Sequence, residues 1–152
     1  PDAPRALSIE PERYPVESKV VPLVYELMST RVLMTCWSCE GHMGADDKLW
    51  KLPMVSFYSA SPVYPKLLLK HIEVLTYKKA LKYRWQIVLS DFSQTPGVTY
   101  SIQPDLSFVD DVHLGQLQQA IAIIADDALL KLKSIAEGML VDLDKSASQV
   151  DS

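Results

Sequence analysis

Twice in succession the chain passes from a proline-marked stretch of helical apolar spacing into two runs of strand-forming residues. That order restricts the fold more than any other feature. A first helix is expected from Ser18, whose hydroxyl can cap the free N–H groups of the first turn, with Pro22 inside that turn, where its missing N–H is not needed. Val20, Leu23, Val24, Leu27 and Met28 then form one apolar face, ending near Ser29 or Thr30. Residues 31–37 and 49–59 read as strands, rich in branched and aromatic side chains. The second unit follows the same plan. Ser61 and Pro62 open a helix carrying Leu67, Leu68, His71, Ile72 and Leu75, and residues 83–92 and 98–103 are strands joined by a Pro96-Gly97 turn signal. No residue-level repeat links the two units. A last, long helix is expected from Asp110 or Asp111 to about Gly138, on a stripe that includes Leu117, Ile121, Ile124 and Leu132. The order αββαββα predicts an α+β two-layer sandwich: a four-stranded, mainly antiparallel sheet with helices on one face.

At 152 residues the chain fits one domain, expected over 17–144, with an extended proline-rich arm at 1–16 and a polar, frayed tail at 145–152. A formal net charge of -4 weighs against a nucleic-acid partner or an anionic membrane surface. The cations are unevenly spread: Lys66, Lys70, Lys78, Lys79, Lys82 and Arg84 cluster in the middle third. No apolar run is long enough to span a bilayer, and residues 1–15 lack the basic-then-apolar pattern of a signal peptide. Two cysteines make no disulfide framework, so the expected compartment is the cytoplasm, with both thiols reduced.

Chemistry concentrates in residues 35–42, Thr-Cys-Trp-Ser-Cys-Glu-Gly-His, followed by a loop to Lys48 with Gly44 and the pair Asp46-Asp47. The Cys36-x-x-Cys39 spacing admits several readings. A thioredoxin-type redox pair requires the motif to open a helix, and the two glycines that follow argue against one. A metal site would use Cys36, Cys39 and His42, the thiolate and imidazole ligands that zinc prefers. His71 or His113 could complete a closed structural site, or water an open one with Glu40 as a base. As a catalytic group, Cys39 would be the nucleophile and His42 or Glu40 the general base. The bland alternative is packing, with Cys36 a small strand hydrophobe and Cys39 beneath a turn at Gly41.

The segment 16–43, a helix leading through an apolar strand into Ser38-Cys39-Glu40-Gly41-His42, resembles the S-S-C-S-G-R segment of the wybutosine-synthesis tRNA methyltransferase family. Ser38, Cys39 and Gly41 correspond; His42 stands where that family has arginine and Glu40 where it has serine. The resemblance implies an α+β fold, use of S-adenosylmethionine and a tRNA substrate. The residues themselves lead to a domain with a ligand or substrate pocket at the 36–42 loop. A different class of function, a non-catalytic protein that forms a homodimer through its long last helix, is the other expectation.

Overall fold

The computed structural model describes residues 16–90 and 98–150. Residues 1–15 of the arm expected at 1–16, and the turn at 93–97, lie outside them. The fold is α+β, and the expected order holds with two elaborations. Helix α1 (Val21–Ser29) leads into β1 (Met34–Cys39); a short hairpin, β2 (His42–Met43) and β3 (Leu49–Lys51), precedes β4 (Met54–Tyr58); α2 (Val63–Tyr77), β5 (Arg84–Ser90) and β6 (Thr99–Asp105) form the second unit; α3 (Leu114–Ala125) and α4 (Ala128–Val150) close the chain. The main sheet has the order β1-β4-β6-β5, antiparallel throughout, and β2–β3 is a separate two-stranded sheet.

The sheet is amphipathic by its period of two. Val55 pairs with Ile102, which pairs with Ile87, and Phe57 lies between Thr35 and Tyr100 in the next row. Val55, Phe57, Ile102 and Trp85 join Val20, Leu23, Leu27, Leu68, Ile72, Leu117, Ile121 and Ile124 of the helical layer in one continuous core. The Phe57 and Tyr100 rings stack with centroids 5.7 Å apart.

Both elaborations have local causes. The single strand expected over 49–59 is divided because Pro53 has no N–H to give a ladder, so β3 ends before it and β4 begins after it. The single last helix is divided because Asp126 is extended, with ψ 112°, and Asp127 is left-handed, with φ 50°. Aspartate tolerates that region better than most residues. Across the break, Leu129 N–H of α4 donates to the Glu26 carboxylate at 3.2 Å, which gives the new helix a cap from α1. Gly138 therefore lies inside α4 rather than at its end, and the helix continues over 145–150, where the expected tail begins. Ser18 does not cap α1: residues 18–20 form a turn and the helix starts one residue before Pro22, at Val21. Arg31, left-handed with φ 63°, ends α1 and delays β1 to Met34. Among the described residues, no helix is long and apolar enough to cross a membrane.

Candidate metal centre

Three segments meet at the end of β1. In the first, Val16 and Val20 are both buried in the core, and the turn between them is closed by Val20 N–H donating to Glu17 O at 3.2 Å. This fixes Glu17 just ahead of α1. In the second, β1 pairs with β4 down to Cys39 opposite Met54, which leaves Cys39 only 4% exposed. The third begins at Gly41, whose φ of +84° turns the chain so that His42 starts β2, opposite Lys51. A left-handed residue here is best served by glycine. A Cβ at Gly41 would also lie 2.7 Å from Leu114 Cδ1 and 2.8 Å from Pro53 Cγ.

The result is a cluster of a carboxylate, a thiol and an imidazole. One ligand atom from each of Glu17, Cys39 and His42 lies within 4.8 Å of the other two. His42 Nε2 and Glu17 Oε2 are 3.0 Å apart. Glu17 Oε1 accepts a hydrogen bond from Glu40 N–H at 3.1 Å, and Gly41 N–H donates to the Cys39 sulfur at 3.4 Å. Both contacts orient donor atoms that a metal would use. The Glu40 side chain turns the other way, accepting from Lys19 N–H at 2.9 Å, while its backbone carbonyl accepts from Gln118 Nε2 of α3 at 3.0 Å. Glu17 and Glu40 thus exchange hydrogen bonds with each other's segments, tying the turn before α1 to the corner after β1.

Electrostatics fit a cation better than a free thiolate. Burial pushes the Cys39 thiol above its ordinary value, partly offset by the Gly41 N–H, and the negative Glu17 pushes the same way as burial. Lys51 acts in the opposite sense; its ammonium also sits over the Trp37 and Trp50 rings, at 5.9 and 5.4 Å from their centroids. The Cys36 thiol is likewise raised, again chiefly by burial.

Of the residues expected in a metal set, Cys39 and His42 come together and Cys36 stays outside the cluster. Three steps along a strand separate two residues by about 10 Å, too far for one ion. The other two histidines are engaged elsewhere. His71 is buried, with Nε2 2.9 Å from the Ile124 carbonyl in the last turn of α3. His113 Nε2 lies 3.2 Å from Asp111 Oδ2. Glu17 is the member that sequence reasoning missed. Nothing in its local pattern marks it, because its partners arrive only through tertiary pairing.

Comparison with family models, with curated proteins and with solved structures finds no match to this chain.

Proposed function

We propose that this protein is a zinc-binding domain, with Glu17, Cys39 and His42 as ligands and a fourth, exchangeable position open to water or a small ligand. The observation that supports the reading is the convergence of the three donor atoms within 4.8 Å from three separate segments. Zinc–ligand bonds of about 2.0–2.3 Å in a tetrahedron place ligand atoms roughly 3.3–3.8 Å apart, a side-chain adjustment away from this geometry. Sulfur, nitrogen and oxygen donors in one set favour zinc over magnesium or calcium, which take oxygen. The proton on the Cys39 thiol is the one that a cation would replace. A buried thiol with a raised pKa is a poor nucleophile but becomes a good ligand once a cation reverses the local field. On that ground Cys39 serves better as a ligand than as a catalytic group.

The test is competition for zinc against a chromophoric chelator, supported by cobalt(II) substitution, which reports a thiolate ligand by a charge-transfer band. Wild type and Cys36→Ser should each take up equimolar metal, Cys39→Ser should lose the band, and Glu17→Gln should bind at least about tenfold more weakly. Less than roughly a tenth of an equivalent in wild type, or loss in Cys36→Ser equal to that in Cys39→Ser, would overturn the reading.

A further inference from the structure

The two edges of the main sheet are built differently. At one, β1 is bent by a bulge between Thr35 and Trp37, a usual means of preventing further pairing. At the other, β5 pairs with β6 over seven consecutive residues without a register shift. Its sequence, Arg-Trp-Gln-Ile-Val-Leu-Ser, has no proline, glycine or lysine and carries its only charge at the first position. Among the described residues, no strand pairs with its outer edge. Leu89, on the same face as Phe57 and Tyr100, is 72% exposed. A straight apolar edge of this length invites another strand.

Beside the start of β5 runs a cleft of about 570 Å³, walled on one side by α2 and on the other by residues 81–85. Leu69, Ile72, Thr76 and Leu81 line it, with positions 69, 72 and 76 on one helical face. Lys82 and Arg84 stand in its wall and the exposed Lys78 and Lys79 just beyond, against the carboxylates of Glu73 in the wall and of Asp105, whose Oδ2 is 4.0 Å from Arg84 Nε. In a chain of net charge -4, this is where the cations gather.

We propose that β5 and this cleft bind an extended acidic peptide from a partner protein, added as a fifth strand. Main-chain hydrogen bonds to the β5 edge supply affinity, an apolar side chain enters the cleft between α2 and β5, and flanking carboxylates meet Lys82 and Arg84. Charge selects this occupant: the basic wall complements acidic residues and would repel a basic strand. A second copy of this chain would bring its own basic wall to the interface.

The probe is a fluorescein-labelled peptide as long as β5, alternating aspartate or glutamate with valine and leucine, followed by anisotropy and by amide hydrogen exchange. The expected results are a Kd on the order of 10–100 µM, well below the millimolar range of negligible binding, with slowed exchange in β5 and α2. Methylating alternate peptide nitrogens along the pairing edge should weaken binding at least about tenfold. So should the pair Lys82→Glu and Arg84→Glu, both exposed positions whose replacement leaves the core intact. The proposal is overturned by no binding at about 1 mM, by indifference to N-methylation on either edge, or by equal binding of the lysine counterpart. It is also overturned by a single-stranded oligonucleotide outcompeting the acidic peptide, or by sedimentation showing that β5 pairs with β5 of a second copy.

Discussion

Replacing Gly41 by alanine should cost this fold about 2–5 kcal/mol, and the sum can be worked from two terms. Holding a residue with a Cβ at φ +84° costs about 1–2 kcal/mol. The new methyl would lie 2.7 Å from Leu114 Cδ1 and 2.8 and 2.9 Å from the Pro53 ring carbons, where carbon pairs normally rest at about 3.5–4.0 Å. Leu114 can swing its terminus aside. The Pro53 ring cannot, and relief by backbone movement costs about 1–3 kcal/mol. That movement would also strain the bond from Gln118 to the Glu40 carbonyl. The assay is urea unfolding of Gly41→Ala beside Gly115→Ala, a glycine in the first turn of α3 whose Cβ would meet nothing within 4 Å. Gly115→Ala should be neutral or stabilising, while Gly41→Ala should lower the midpoint at unchanged slope. A Gly41→Ala protein within about 0.5 kcal/mol of wild type would refute the steric account of the corner, and with it the reason His42 is held near Cys39.

Three further outcomes follow from single groups. Burial depresses the His71 pKa below 6.5, with Lys131 adding to the effect and the Ile124 carbonyl opposing it. The unfolded chain therefore takes up a proton that the folded chain refuses, so this contribution is complete above about pH 6.5 and is lost as pH falls below it. Denaturation midpoints between about pH 7 and pH 5 should fall less steeply in His71→Leu than in wild type, although the variant starts about 1–3 kcal/mol lower for losing the bond to Ile124. Ser56, fully buried in β4, has a hydroxyl with no hydrogen-bond partner among the described residues; Ser56→Ala should raise stability by about 1 kcal/mol, checked by the urea midpoint. Gly138, exposed within α4 with open space around it, should give about 0.5–1 kcal/mol on replacement by alanine, read from the thermal midpoint.

The fold was legible because it rests on periods, and periods are local. Leu68, Ile72 and Leu75 recur at helical spacing, so α2 declares its buried face within a few residues, and the alternation of Val55 and Phe57 with Ser56 marks which sheet face carries the apolar core although Ser56 is buried as well. Two boundaries were harder. The residues on either side of Pro53 read as one run over 49–59, and the division came only with the missing N–H of Pro53 in the ladder. The break at Asp126-Asp127 had no comparable signal, because a left-handed aspartate is selected by how α3 and α4 must each lie on the core. The centre divides along the same line. Cys39 and His42 are close in sequence and share one corner, so their spacing was informative. Glu17 reaches them through the packing of Val16 and Val20 and through the hydrogen bond from Glu40, contacts made only when α1 docks beside β1. Cys36 fits the C-x-x-C pattern but lies on an extended strand, and a pattern of residue names carries no information about rise per residue.

The separate origin of the three clustered donor groups has a thermodynamic consequence. A two-stranded hairpin of the length of β2–β3 is marginal by itself. The corner is held by the Gly41 turn, the His42–Glu17 contact and the exchanged bonds of Glu17 and Glu40. An ion on Glu17, Cys39 and His42 would bridge the turn before α1, the end of β1 and the start of β2. It would bind the folded chain better than the unfolded one, where Glu17 is remote from the other two, and zinc at 100 times its Kd would then stabilise by about 2.7 kcal/mol. Local opening should respond first, because the corner can open without the sheet. Zinc should therefore slow hydrogen exchange at the amides of Glu40 and Gly41 and through β2, under conditions where Ile102 and Phe57 in the central strands exchange only by global unfolding. Uniform slowing across β4 and β6 with no added effect at the corner would mean that the metal acts elsewhere, whatever the stoichiometry of binding.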